Sequence, residues 1–497
     1  MERSLAERFL GNDRIVWMTG AWICLLFLSA NLPWQLDDYD QARQAFTSFE
    51  MVREGDWLYQ GSPHEFVAQK PPFVGWVSAV VYEVTRSWDL AWRLPSLLSA
   101  VAISILLLRA GTSGYGPIAG LISLSAFGLN LLSARLSTLV TTDMPLALSI
   151  LLLGLLIWQK TRKGEPWNSP DRWWVFALLT VSMLIKGPIV YAFLLPGIAA
   201  LAWRAHKDKI TSPWSGWWPW VGSLAVFLLW VTGGILFKPG FYNQVVVREF
   251  LERFSETVHR PQPVYFYLPH LLHKFAPWSV LVILLAVVLG RQTRGRMREA
   301  IGNLSPDIFW LLCWSLGGLI VMSLVPSKRV DRIFPVVPPL CLLLGAQVAR
   351  GLAAERIRRR VYQWSAAALL CSFLFTTGYA VWKVVPGYAY HRDALVTFSQ
   401  AVRRKAAARH WRYEVVSSRD VAGTGGMLLY LQKLHFIPLT EATEKWNTDQ
   451  IEALVIPNDQ VDAAMAMLRQ ASIALRTLKR KDLHAPTYVL VTRLPRA

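Results

Sequence analysis

Long apolar blocks, broken by short polar stretches, occupy the chain from about residue 15 to residue 384. Most approach the roughly 17–25 residues that a helix needs to cross about 30 Å of hydrocarbon. The pattern predicts about eleven transmembrane helices. The first runs from about Ile15 to Leu32. The others are Leu94–Leu108, Pro117–Leu132, Met144–Trp158, Trp173–Ile185, Ile189–Trp203, Trp217–Phe237, Tyr265–Leu289, Ile308–Leu324, Ile333–Val348 and Trp364–Val384. Phe73–Val84 is apolar too, but a helix of that length rises only about 18 Å. It is expected to lie at the interface, just after Pro71-Pro72.

Charge orients this threading, because Lys and Arg collect in short cytoplasmic loops. With the N-terminus inside and the first block kept as an anchor rather than a cleaved signal, residues 33–93 form a first outer loop. The basic clusters at 160–163, 204–209, 291–298 and 356–360 then fall inside, together with Arg109. Counting Phe73–Val84 as a crossing would put most of them outside. Residues 387–497 read differently. Short β-like runs (Tyr413–Val416, Ala453–Ile456, Tyr488–Thr492) alternate with helical stretches around Met427–Lys433 and Val461–Ala471. The chain therefore divides into a membrane domain, 1–386, and a small outer α/β domain, 387–497.

Composition agrees and excludes other classes. Hydrophobic residues make up 53% and charged residues 17%, with a mean hydropathy of +0.31. Soluble domains carry about a quarter charged residues, so a compact cytosolic enzyme and a disordered chain are both excluded. The net charge of +19 would suit nucleic acid, but no basic soluble module is present to bind it. The 24 Trp and 15 Tyr suit aromatic belts at a bilayer. The 4 Cys lie inside apolar blocks without CxxC spacing and behave as small hydrophobes. Gly423-Thr-Gly-Gly426 has neither dinucleotide nor P-loop spacing and reads as a loop.

Several charged groups on the outer side are not explained by orientation. They are Asp37, Asp38 and Asp40 with Lys70 in the first loop, Asp143 in Thr141-Thr-Asp-Met-Pro145, and Lys186 in Lys186-Gly-Pro188. Others are Arg248–Arg260 with His259, and Lys328, Arg329, Asp331 and Arg332. Each has an ordinary reading. Asp143 can cap a helix, and Lys186 can snorkel. Glu249, Glu252, Arg253 and Glu256 can pair along a helix face, and Lys328–Arg332 can bind headgroups. Together, carboxylates among cations at one membrane face suit transfer of a group from a lipid-linked phosphate. The cations would stabilise the leaving phosphate, and a carboxylate would serve an attacking hydroxyl as base.

The segment Asp37-Asp-Tyr-Asp-Gln-Ala-Arg43, with Glu50-Met51, Gly55-Asp-Trp57 and Lys70-Pro-Pro72, resembles the first outer loop of GT-C glycosyltransferases. The branch is that of protein mannosyltransferases and the aminoarabinose transferases that modify lipid A. Arg93-Leu-Pro-Ser96, Thr142-Asp-Met-Pro-Leu146, Lys186-Gly-Pro188, Arg253-Phe254 with His259-Arg260, Pro277-Trp278 and Ser327-Lys328 through Pro335 continue the series. The resemblance covers about residues 15–350, and the tail is similar to the outer C-terminal domain of aminoarabinose transferases.

The resemblance implies a GT-C fold and an inverting transfer from a polyprenyl-phosphate sugar, such as an undecaprenyl-phosphate one. The acceptor would be a lipid, glycan or protein at the outer face of the bacterial inner membrane. It implies Asp37 and Asp143 as catalytic acids. Lys70, Lys186 and Arg332 become donor-phosphate contacts, with His259, Arg260, Lys328, Asp38 and Gln69 further along the pocket. Three positions depart from the pattern. Gln69 replaces an acid, Gln41 a tyrosine and Arg332 an aromatic. Aminoarabinose transferases pair that acid with a histidine near a metal. Here only His259 would be left, so no cofactor is assigned, a divalent metal stays an open alternative, and the aminoarabinose activity is not carried over. A lipid-linked sugar transporter and a non-catalytic lipid-binding scaffold are the alternatives.

Overall fold

The computed structural model describes residues 4–36, 39–61, 66–208, 211–251, 261–292, 297–350, 355–418, 425–478 and 487–494. Helices stand at all the expected crossings, and the protein is a multi-pass membrane protein. Seven helices are individually long and apolar enough to span: Trp88–Tyr115, Asp143–Lys163, Ile189–Asp208, Trp218–Phe237, Pro306–Leu324, Val330–Arg350 and Glu355–Ala389. The pair Val264–Lys274 and Trp278–Gln292, bent by 109°, makes an eighth where it is counted as one broken span rather than a re-entrant loop. The bend lies at Pro277, which has no N–H to continue a helical ladder. The other three expected crossings correspond to Asp13–Ser29, Pro117–Gly128 and Ser169–Lys186, of 17, 12 and 18 residues. The count of about eleven thus holds as helices, while length and hydropathy alone support seven or eight. Phe73–Thr85 is a helix of 13 residues, the short element expected before the second crossing.

Contacts group the chain into two compact units. The first comprises Met1–Ala30, Gln69–Val74 and Arg93–Ala380. Within it, small residues let large ones close the helix packing. Gly154 faces Trp314 so closely that a Cβ there would run into the indole, and Trp310 Nε1 donates to the Gly154 carbonyl at 3.0 Å. Helix boundaries follow local chemistry. Asn168 and Asp171 form a capping box at the start of Ser169–Lys186, and Gly164 (φ +66°) ends the preceding helix in the left-handed region. Outward-facing tryptophans such as Trp17, Trp173, Trp203 and Trp217 are exposed, as lipid-facing belt residues are.

The second unit comprises Asn31–Ala68, Gly75–Trp92 and Val381–Ala497. It joins first-loop segments to the C-terminal region, so contacts divide the chain differently from the sequence boundary at 386. The helix Tyr39–Glu54 packs on the helix Gly425–Leu431. Trp88 stacks on Tyr82 with ring centroids 3.8 Å apart, and Phe49 lies edge-on to Trp88 at 5.1 Å. The sheet contains β1 (Tyr413–Val415), β2 (Ala453–Pro457), β3 (Ala471–Arg476) and β4 (Tyr488–Arg493) in the order β1-β2-β4-β3. The β1–β2 pair is parallel and the other two pairs are antiparallel.

Two sequence expectations for this region change. The helix begun at Val461 ends at Met467, and residues from Ala471 onward form β3, a half-exposed strand at one sheet edge. Gly425 and Gly426 open a helix rather than lying in a loop, while Gly423 and Thr424 lie outside the described residues.

Candidate functional site

Asp143 is the first residue of the helix Asp143–Lys163, and Lys186 is the last of Ser169–Lys186. The two helices pack as a hairpin, which brings the acid and the lysine to the same end. Lys186 Nζ is hydrogen-bonded and ion-paired to Asp143 Oδ1. Their side chains are only 10% and 11% exposed. Asp143 is therefore not simply a helix cap. The cap position is Thr142, whose side chain makes no capping bond.

The connection leading into Asp143 is pinned by buried hydrogen bonds. Asn130 Oδ1 accepts from the N–H groups of Leu132 and Ser133 and caps the short helix Leu131–Leu136. Trp278 Nε1 donates to the Leu129 carbonyl at 3.1 Å. Ser96, from the Arg93-Leu-Pro-Ser96 motif, donates through Oγ to the Leu139 carbonyl at 2.7 Å and lies 3.4 Å from that of Thr141. A residue 47 positions upstream thus fixes the carbonyls just before Asp143.

Lys328 and Arg332 share a second element, the turn leading into the 3-10 segment Val330–Val336. That segment packs against the helix headed by Asp143. Arg332 Nη1 donates to the Ser327 carbonyl at 2.7 Å and to Ser327 Oγ at 3.1 Å. Lys328 Nζ donates to the Gln262 carbonyl at 2.9 Å, and the Gln262 N–H donates to the Pro326 carbonyl at 3.2 Å. Lys328 is 7% exposed. Burial pushes its ammonium below the ordinary lysine range, because the charged form has lost water. Asp331, in the same turn, pairs with Arg135 Nη1 at 3.7 Å, and Lys274 lies within electrostatic reach of both. Arg135 and Lys274 were not singled out in the sequence. Only their place one or two turns from Asp143 and Pro277 could have pointed to them.

Gln69 donates its amide N–H to the Gln244 carbonyl at 3.4 Å, and Lys70 follows it, half-buried before Pro71-Pro72. Gln69 is a neutral amide whose donor end faces that carbonyl, so it does not supply the carboxylate a metal would need here. In the second unit, carboxylate oxygens of Glu50, Glu54 and Asp56 lie within 4.8 Å of one another. Glu50 accepts from the Gly61 N–H at 2.5 Å, and Glu54 faces His435 Nε2 at 3.4 Å. Asp37, Asp38, His259 and Arg260 lie outside the described residues. The structure thus joins Asp143 to Lys186 and sets Lys328 and Arg332 on a turn against the same helix.

Residues 69–234 match the family model for dolichyl-phosphate-mannose-protein mannosyltransferase. The undecaprenyl phosphate-alpha-4-amino-4-deoxy-L-arabinose arabinosyl transferase of Yersinia pestis is 26% identical over 382 residues, 75% of this chain and 64% of its own length. The corresponding transferase 1 of Sodalis glossinidius is 26% identical, over 70% of this chain and 61% of its own. The chain therefore matches just under two thirds of the length of these curated relatives.

Among solved structures, ArnT from Cupriavidus metallidurans bound to undecaprenyl phosphate superposes with a TM-score of 0.67 at 19% identity. The match covers 97% of this chain and 99% of that one. The Archaeoglobus fulgidus oligosaccharyltransferase gives 0.53 at 10% identity, covering 91% and 71%. The fold is the GT-C fold, and the resemblance to GT-C glycosyltransferases read from the sequence holds in both sequence and structure.

Proposed function

We propose that the chain is an inverting glycosyltransferase. It takes a sugar from a polyprenyl-phosphate donor and passes it to a lipid, glycan or protein acceptor at the outer face of the bacterial inner membrane. The observation that carries this reading is the buried Asp143–Lys186 pair at the head of a helix against which the Val330–Val336 segment, with Arg332, packs. Ammonium and guanidinium groups gathered on elements that pack against one membrane helix suit a lipid-linked phosphate. The relatives' names point to undecaprenyl-phosphate donors, and the ArnT structure holds undecaprenyl phosphate itself.

In the proposed reaction an acceptor oxygen attacks the anomeric carbon, and the bond from that carbon to the donor phosphate breaks. The polyprenyl phosphate leaves with added negative charge. Lys70, Lys186 and Arg332, with His259 and Arg260, offset that charge. Asp143 holds Lys186 in place through Oδ1, which leaves its second oxygen to take a proton. Asp37 or Asp143 serves as base for a hydroxyl acceptor, whereas an ionised phosphate acceptor needs none. Gln41, Gln69 and Arg332 differ from the aminoarabinose pattern, so the sugar is left open to experiment.

The test is transfer of labelled sugar from undecaprenyl-phosphate donors by protein purified in detergent. Transfer without a sealed vesicle supports the enzyme and excludes pure transport. Donor binding with no transfer to any envelope fraction would overturn the reading in favour of a scaffold.

A further inference from the structure

The end of the bundle away from Asp143 holds a polar hollow. Arg162 lies near the close of the helix that Asp143 opens, about 28 Å further along its axis. Tyr115 closes Trp88–Tyr115, Arg350 closes Val337–Arg350, and Asp307 lies in the first turn of Pro306–Leu324. Between these helix ends is a cavity of about 360 Å³ lined by Gly114, Tyr115, Arg162, Asp307, Ala349 and Arg350.

The lining is fixed and carries an excess of positive charge. Asp307 is buried, and its Oδ2 accepts from the Tyr115 hydroxyl at 2.6 Å. Trp158 Nε1 donates to the same hydroxyl at 3.0 Å. The other oxygen, Oδ1, faces Arg350 Nη2 at 3.8 Å, too far for a hydrogen bond. Arg162 donates through Nη1 to the Gly114 carbonyl at 2.6 Å, and its guanidinium lies over the rings of Tyr115 at 5.3 Å and Trp158 at 5.4 Å. Arg350 covers the Tyr115 ring at 5.7 Å and makes no hydrogen bond among the described residues. The lining thus holds two guanidiniums and one carboxylate, and that carboxylate faces only Arg350 and has already spent an oxygen on Tyr115. Aromatic faces hold the forks in position while most of their N–H donors remain for an oxyanion.

We infer that this pocket binds the phosphodiester headgroup of an anionic phospholipid. Both guanidiniums are solvent-exposed, yet they line one concave polar space and stack on aromatics at the level where spanning helices end and headgroups begin. At about 30 Å³ per water the cavity holds on the order of twelve waters, room for a phosphate with its glycerol substituent rather than for the bare anion. The lipid would tie together the ends of four helices at the face opposite Asp143.

Thermal unfolding and native mass spectrometry of the full chain in detergent test this, using phosphatidylglycerol, phosphatidylcholine and inorganic phosphate as probes. Phosphatidylglycerol should remain bound and raise Tm by several degrees. The double variant R162Q/R350Q should bind it at least about tenfold more weakly. D307N removes the competing carboxylate and should bind it more tightly, which keeps the test open if the arginine variant fails to fold. Equal stabilisation by phosphatidylcholine, or by millimolar inorganic phosphate alone, would overturn the proposal. So would unchanged or weaker phosphatidylglycerol binding by D307N.

Discussion

Asp143 and Lys186, 43 positions apart, meet as a nearly dry ion pair at one end of a helical hairpin. The carboxylate heads its helix and the ammonium closes its own, so each also sits at the end its helix dipole favours. Removing one partner of a buried pair strands the other, at a cost of about 3–5 kcal/mol. D143N and K186M should each lower the unfolding temperature clearly, whereas D143N/K186M should recover most of the loss. Sugar transfer should not recover with it, because the cation offered to the donor phosphate is gone. Equal Tm values for the single and double variants would show that the two groups are not coupled.

The C-terminal region reaches the candidate catalytic loop through Tyr430. Its hydroxyl accepts the Leu36 N–H at 2.6 Å, and Gln35 Oε1 accepts from the Leu395 N–H at 3.1 Å. Leu36 immediately precedes Asp37. Y430F leaves a buried N–H without this acceptor, costing about 1–3 kcal/mol locally. Transfer should fall mainly in kcat, with donor affinity nearly unchanged, as steady-state kinetics at varied donor concentration would reveal. A rise in KM at constant kcat would place Tyr430 in donor binding instead.

What the sequence made legible is what local pattern encodes. Apolar length located the helices, and Pro71-Pro72 marked the short one beginning at Phe73. Three of the four strands followed from β-branched runs, but Ala471–Arg476 has no buried position and no in-out alternation, and was hidden beside a helical stretch. The site was legible as residue types rather than as partners. Asp143 and Lys186 both drew attention, one as an acid and one as a phosphate contact, yet their pairing depends on how the hairpin closes. The Leu36–Tyr430 contact spans 394 positions, and no periodicity carries it.

Gly154 lets the Trp310 and Trp314 indoles lie against the Asp143 helix. Any side chain there meets the Trp314 ring rather than the flexible tip of a neighbour, so the helices must separate. G154L should destabilise the protein by about 1–3 kcal/mol through overpacking. G154A should cost less but remain measurable by thermal unfolding in detergent. Wild-type stability of G154L would mean that the two helices slide apart without loss.

Lys328 gives the proposed reaction an alkaline limit with a defined sign. Burial disfavours its ammonium, so the folded-state pKa lies below that of an unfolded lysine. Below the folded value the charge is present in both states, and burying it costs stability. Between that value and about 10.4 the unfolded chain holds the proton more tightly, so stability rises with pH. Activity runs the other way. A lysine that helps hold a phosphate stops doing so once neutral, and this one neutralises earlier than an exposed lysine. Transfer by the wild type should therefore decline on its alkaline side while the fold is being stabilised. K328R, charged throughout, should move that limb upward, and K328M should lower transfer at every pH. The rate of transfer from a saturating donor between pH 7 and 10, paired with Tm at each pH, separates the two effects. An alkaline limb identical in wild type and K328R would remove the Lys328 charge from donor binding.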